Sequence, residues 1–494
     1  MDAYRSGIVL SCVTVYMVMC AAVGLWAMRR TKSSQDFFMA GRNLGIIVTG
    51  VAVFSSTMSG FGFVGGPGLV YRMGISSLWM VICTPIGYAV SFFLLGKRIR
   101  VFAEVCDSVS LPDVVAARYR SETSRLLTAA AILLGVLGYL ATQILAMATV
   151  LMNIVNSSPW LGTWRIEVCV AVSCAVLVFY CVTGGIIASV YTDLIQGLVM
   201  VVAAVLVFVA ALQQVDYAPS QMSAVIAADD PEAIGPWGTL GILGALSWYF
   251  LFALGGVGQP HVVTKLMMNR RVGDARHILP LSVIGYTLTA LLWISIGLVM
   301  RALVLQGSHP ELTEPDAAAP QFLQFYAHPL LAGVVFAGLF AAIMSTADAF
   351  LNIGAAAIVH DIPKAILGRS LKRELLCARV GTLALAVVAA VVALYSGELV
   401  AMLGTKGWGT FAAATVPVVA IGFNWKRGTA LAANVAIAAS LLVNFSPALF
   451  GVGLPHGLHV GAVALMASLT LFVGISLASR RPQLDPDIEA AMDL

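Results

Sequence analysis

The residues best placed to do chemistry form one short polar run inside an apolar stretch, Ala341-Ala342-Ile343-Met344-Ser345-Thr346-Ala347-Asp348. A spacing of three puts Ser345 and Asp348 on one helical face. Two hydroxyls and a carboxylate are hard oxygen ligands, a set that suits a small dehydrated cation. The plainer reading has both hydroxyls bonding back to a carbonyl four residues earlier, which leaves Asp348 unexplained. A charge at the centre of a bilayer costs at least about 2.5–3.5 kcal/mol, so such groups are functional candidates. Asp193, in Val190-Tyr191-Thr192-Asp193-Leu194, reads either as a cation ligand or as an interfacial helix cap. Lys406 lies about 12 Å deep at 1.5 Å per residue. It either meets a substrate carboxylate, neutralises Asp348, or snorkels outward.

Two further segments carry unusual backbone. One contains Ser55-Ser56-Thr57-Met58-Ser59-Gly60-Phe61-Gly62 and then Gly65-Gly66-Pro67-Gly68. The other contains Gly255-Gly256-Val257-Gly258-Gln259-Pro260-His261. Glycine lowers helix propensity by about 1 kcal/mol and proline by about 3, and in lipid every freed backbone group must find a partner. Helix breaks are expected at both places, lining a cavity or a binding site. The alternative is that the glycines serve close helix packing. His261, after a proline, reads as an interior histidine.

These groups need a membrane-spanning frame, and the composition supplies one. Of 494 residues, 60% are hydrophobic and 11% charged, with a mean hydropathy of +0.93, whereas soluble domains run near 45–50% apolar and about 25% charged. Apolar runs long enough to span fall near 8–28, 44–71, 75–96, 126–155, 166–185, 190–213, 239–264, 279–304, 327–359, 376–396, 398–422, 429–446 and 457–479. With these thirteen segments, all but five of the 28 Lys and Arg fall on one side; the exceptions are Arg5, Arg72, Arg165, Arg301 and Lys406. The positive-inside rule makes the basic side cytoplasmic, with the N-terminus outside and the C-terminus inside. The first run ends in Arg29-Arg30 rather than a cleavage site and reads as a spanning helix. The loops 214–238 and 305–326 read as flexible caps.

The interrupted segments, second and seventh, are five apart and therefore run in opposite directions. Such a pair is the mark of an inverted-repeat transporter with its site between the repeats. The expected division is 1–43, a first repeat over 44–213, a second over 239–422, and a peripheral 423–494. No phosphate loop, HExxH or GxSxG motif is present, so neither an ATPase nor a hydrolase is indicated. The eight cysteines show no metal-ligand spacing.

Five stretches in order resemble the sodium/solute symporter family, most closely its sodium/proline branch: Asp36-Phe37-Phe38-Met39-Ala40-Gly41-Arg42, Met58-Ser59-Gly60 with Gly66-Pro67-Gly68, Gly258-Gln259-Pro260-His261, Ala275-Arg276 and Met344-Ser345-Thr346. The resemblance implies an all-α membrane fold of thirteen helices with an inverted five-helix repeat of the leucine-transporter type. It also implies a sodium site built from the carbonyls of Ser55, Met58 and Ala342 and the hydroxyls of Ser345 and Thr346. An acidic residue used by some members for a second cation matches Asp193, but their serines are replaced here by Asp348 and Ala349. The proline branch has a carboxylate where this chain has Thr57, and aromatic positions of its cavity correspond to Phe61, Phe252, Gly256 and Lys406, while Tyr139 matches.

The chain is thus expected to be a sodium-coupled symporter in the plasma membrane, a bacterial inner membrane, using no organic cofactor and no obligatory protein partner. Its solute would be a small amino acid or carboxylate, bound among Thr57, Ser59, Phe61, Tyr139, Phe252, Gly255, Gly256 and Lys406, since a helix N-terminus and Lys406 both favour an anionic group. The alternatives are proton coupling through Asp348 and Asp193, and a sensor that binds solute without transport.

Overall fold

A computed structural model describes residues 3–29, 33–369, 371–395, 397, 400–450 and 454–494. Arg30, Thr31 and Lys32 of the first basic run, and the start of the segment 398–422, lie outside these residues. Among them the chain is helical without a named strand. The principal helices are α1 (Ala3–Met28), α2 (Ile46–Thr57), α3 (Gly66–Met73), α4 (Trp79–Leu95), α5 (Leu111–Tyr119), α6 (Glu122–Asn156), α7 (Ile166–Gln214), α8 (Gly241–Tyr249), α9 (Pro260–Met267), α10 (Ala275–Leu305), α11 (Pro329–Ala356), α12 (Glu374–Tyr395), α13 (Val400–Thr415), α14 (Ala430–Phe450) and α15 (Val460–Ala478).

Among the described residues, every predicted segment falls on helix. Ten helical stretches among the described residues are long and apolar enough to cross a bilayer, and Ile46–Thr57 and Ile166–Phe179 are shorter apolar helices. The second segment is split into α2 and α3, the seventh into α8 and α9. The segments 166–185 and 190–213 are the two arms of α7, which kinks at Gly185.

Burial decides which helices form the centre. In α11, 83% of the most apolar window is buried, against 22% in α1 and 28% in α14. α11 packs along α7 and α6, and α1 lies across α7 and α11. α14 and α15 pair with each other and lean on α13, leaving their outer faces to lipid.

The loops expected to be flexible caps are built structures instead. Residues 214–238 contain the helix Pro219–Asp229, and Arg301 of α10 reaches Asp230 at 3.3 Å. Trp237 stacks on Trp79 with centroids 5.2 Å apart, and the Trp79 indole donates to the Pro236 carbonyl. Residues 305–326 contain the helix Ala318–Phe325 and bury Asp316. Proline and acid content described where these loops start helices rather than their mobility.

Gly185 adopts φ 55°, ψ −156°, a region essentially reserved for glycine. A Cβ there would lie 2.5 Å from the Phe37 ring. The kink sets the direction of the second arm of α7, which carries Ser189 and Asp193. Gly185→Ala is expected to cost about 1–3 kcal/mol, read as a lower unfolding midpoint of the purified protein with helical content retained.

Candidate functional site

α2 stops at Thr57, and Met58 leaves helical geometry at φ −81°, ψ 79°. The Ser59 amide turns back to the Thr57 carbonyl at 3.0 Å, so the carbonyls of Ser55 and Ser56 lose their intrahelical donors. Ser345 Oγ donates to Ser55 O at 3.0 Å and Thr346 Oγ1 to Ser56 O at 2.9 Å. Both hydroxyls also lie within reach of Ala342 O, at 3.0 and 3.2 Å. A hydroxyl has one proton, so the two carbonyls around each compete for it. The back-bonding and cross-helix bonds are therefore alternatives, both within reach of each hydroxyl. Ser345, Thr346, Ser55, Ser56 and Met58 are all buried.

The amides freed by the break are satisfied too. Gly60 N donates to Gln143 Oε1 of α6 at 2.9 Å and Phe61 N to Ser59 Oγ at 3.2 Å. Ser59 Oγ and the Tyr139 hydroxyl are 3.4 Å apart. Sequence reasoning passed over Gln143, though an amide in the middle of an apolar span was the available signal.

The second break comes opposite the first. After the π-turn Phe250–Leu254 and the 3₁₀ turn Gly255–Gly258, Gln259 is extended and Pro260 opens α9. Thr57 Oγ1 and His261 Nε2 meet at 3.1 Å, joining the two interruptions directly. Around them Phe61 stacks on Phe252 at 6.4 Å and meets Trp293 edge-on at 5.7 Å. Phe252 packs on Trp408 at 5.4 Å, and Tyr139 on Phe350 at 4.6 Å. Within this aromatic shell Gln259 Oε1, His261 Nδ1 and Trp293 Nε1 are buried and have no hydrogen-bond partner. Trp293, Phe350 and Trp408 were missed from sequence, because nothing local marks a tryptophan or phenylalanine as facing a cavity, and Gln259 was read as part of the break without a role of its own.

Gly255 and Gly256 belong to the break but serve packing. A Cβ on Gly255 would lie 2.6 Å from Ala412, and one on Gly256 3.1 Å from Gly87. Lys406 does not join the cluster. Gly404 backs onto Phe61 and Trp408 onto Phe252, four residues apart on one face of α13; Lys406, midway between, points the other way. It is exposed and shares an outer cleft with Arg72, Asn444 and His459.

Asp193 is not a helix cap. It lies eight residues past the Gly185 kink, is fully buried, and contacts Lys265 Nζ at 3.1 Å. Lys265, which the charge count placed with a basic loop, is itself buried in α9. Asp348 faces the second arm of α7, where Ser189 Oγ donates to it at 2.8 Å.

A narrow cavity of about 30 Å³ lies among His261, Lys265, Asn352, Ser110 and Asp361, toward the side of the basic loops. The other side is covered. Asp316 Oδ2 accepts from Val400 N at 2.7 Å, the start of α13, and Asp316 sits on Gly68 of α3, where a Cβ would lie 2.8 Å from Oδ1.

Two interrupted helices meeting at one polar point, with hydroxyls capping the freed carbonyls, are a transporter's architecture. The model of the sodium:solute symporter family matches residues 37–440. The chain belongs to that family. Its members couple sodium to a small organic solute, so this symporter is a multi-pass membrane transporter and not an enzyme. The symporter is 26% identical to the osmoregulated proline transporter OpuE of Bacillus subtilis over 95% of this chain and 94% of that one. It is 28% identical to the high-affinity proline transporter PutP of the same organism, covering 85% and 89%, and 26% identical to the sodium/proline symporter of Staphylococcus aureus, covering 87% and 84%. In fold it matches a Na+-coupled sialic acid symporter with a TM-score of 0.76 at 19% identity, over 97% of this chain and 99% of that one. It also matches Mhp1, a nucleobase-cation-symport-1 family transporter, with a TM-score of 0.60 at 13% identity, over 92% and 98%.

Burial lifts the Asp316 carboxyl to about 7, only partly offset by the Val400 amide. Its protonated form is favoured in the folded state, so its contribution to stability is complete below about pH 4, the ordinary range, and lost as pH rises through about 7. Asp316→Asn is expected to flatten the fall in unfolding midpoint between those pH values relative to the parent protein.

Proposed function

We propose that this symporter carries a small amino acid or carboxylate into the cell with sodium by alternating access. The observation that carries the reading is the capping of the α2 break by Ser345 and Thr346. Sodium would take the carbonyls of Ser55, Met58 and Ala342 and the two hydroxyls, in place of the direct hydroxyl–carbonyl bonds. Carbonyls and hydroxyls are the hard, neutral donors such an ion uses. Bound there, the ion fixes the inner half of the broken helix against α11.

The solute lies between the breaks, among Thr57, Ser59, Phe61, Tyr139 and Phe252. Gln259 Oε1 is an unpaired acceptor and Trp293 Nε1 an unpaired donor, which supports a molecule offering both an ammonium and a carboxylate. The similarity to transporters named for proline points the same way and makes L-proline the first probe. The carboxylate role given to Lys406 passes to groups inside the aromatic shell.

With the basic side cytoplasmic, the N-terminus is outside, the C-terminus inside, and the cavity below His261 faces the cytoplasm of a cell whose plasma membrane holds the chain. The inverted repeats span 44–213 and 239–422. A second reading has Asp348, buried and hydrogen-bonded by Ser189, exchanging a proton instead.

Thermal unfolding of purified protein is measured against amino acids, organic acids and sugars in sodium and then in potassium. A ligand at a hundred times its Kd stabilises by about 2.7 kcal/mol. An amino acid or carboxylate acting only in sodium is expected. A ligand indifferent to sodium removes the coupling assignment and turns attention to Asp348.

Ser345→Ala deletes one ion ligand. At about 0.5–1.5 kcal/mol per neutral hydrogen bond, the sodium concentration for half-maximal L-proline uptake should rise about 2- to 12-fold. The proline affinity at saturating sodium should stay close to that of the parent.

A further inference from the structure

The Lys265 ammonium is placed as a coupling ion would be. Nζ lies 2.6 Å from the Ala52 carbonyl of α2 and 3.1 Å from Asp193 Oδ2 of α7, with Lys265 itself on α9. The side chains are 2% and 0% exposed. The second carboxylate oxygen, Asp193 Oδ1, is buried and has no hydrogen-bond partner. The Ala52 carbonyl also accepts from Ser56 Oγ at 2.7 Å and lies 3.3 Å from Ser55 Oγ, and Ser55 and Ser56 are the residues whose own carbonyls meet Ser345 and Thr346. The ammonium is therefore one carbonyl removed from the ligands assigned to sodium.

A carboxylate at this depth needs a positive partner. A backbone carbonyl and a carboxylate are ligands that serve sodium and an ammonium alike. The difference is that the ammonium is tethered. It neutralises Asp193 in every state in which the contact holds, and it does not leave with the solute. A pair kept only for packing would be as well served by apolar side chains. The geometry also ties the inner half of one broken helix to that of the other, since Leu44 and Asn269 pair at their far ends.

We infer that the Lys265 ammonium is a built-in cation filling a second cation site made by Asp193 and the Ala52 carbonyl, so that one mobile sodium ion rather than two binds per cycle. This rests on the sodium reading of the α2–α11 ligands. It identifies Lys265 as a positioning residue for coupling stoichiometry, and it predicts that removing the ammonium converts the site into one for free sodium.

The test is equilibrium binding of radiolabelled sodium to the purified full-length protein, at about pH 9 so that a proton does not take the vacated place. The parent should saturate at one ion per chain with a Hill coefficient near one. Lys265→Ala should saturate at two, and Asp193→Asn combined with Lys265→Ala should return to one. If Lys265→Ala is not recovered folded, Lys265→Gln, which keeps a donor for the Ala52 carbonyl, takes its place with the same expectation. Two ions on the parent overturn the inference and leave the sodium reading standing. One ion on the lysine variants, or two on the double variant, also overturns it. Saturable binding by none of the proteins overturns both the inference and the sodium reading.

Discussion

A backbone group without a partner in lipid costs several kcal/mol, and the break at Met58 releases carbonyls and amides at membrane depth. The rest of the central architecture follows from how they are satisfied. Ser345 and Thr346 answer the carbonyls from α11, and Gln143 answers an amide from α6. Three helices are thereby held to one point by groups that would otherwise be unpaired. Because the partners are side-chain hydroxyls rather than a continuing helix, the bonds are exchangeable, and an ion able to coordinate the same oxygens can replace them without leaving any polar group exposed to hydrocarbon.

The inner halves of the two broken helices are linked twice. Near the membrane surface the Leu44 carbonyl accepts from Arg270 N at 3.0 Å and Leu44 N donates to Met268 O at 3.2 Å. Deeper, Lys265 joins α9 to α2 and α7. The outer halves are held differently, through aromatic contact and through Asp316 at the start of α13. A void on the basic side and a cover on the other are the two faces of a single state. The inner pair packs against α7 and α11, and the loop carrying Asp316 holds Val400. The charged groups are placed where these bodies meet, so that each ion pair or hydrogen bond reports on one boundary.

An aromatic shell encloses the centre between the two breaks. Phe61, Tyr139, Phe252, Trp293, Phe350 and Trp408 come from six different helical segments, and their mutual ring contacts close the space between the breaks. Ring pairs of this kind contribute about 0.5–1.5 kcal/mol each beyond burial. Among these rings Gln259 Oε1, His261 Nδ1 and Trp293 Nε1 are buried without a hydrogen-bond partner.

The amino-acid sequence by itself determined the membrane frame, the order of the helices, and the places where two of them break. Each depends on local chemistry: apolar length, glycine and proline content, and the exclusion of charge from lipid. The hard-oxygen character of Ser345 and Thr346 was legible in the same way, but their partnership with the second segment came only from the family resemblance. What only the tertiary structure decided is which side chains share a face of the cavity. Lys406 was assigned to the solute on its depth and on its match to a cavity position of the family, whereas its angular position between Gly404 and Trp408 turns it outward. Lys265 was counted with a loop because it falls just past an apolar run, yet α9 carries it inward to Asp193, more than seventy residues away in sequence. Direction around a helix axis and pairing across long chain separations are set by packing, and no local pattern of residues encodes them.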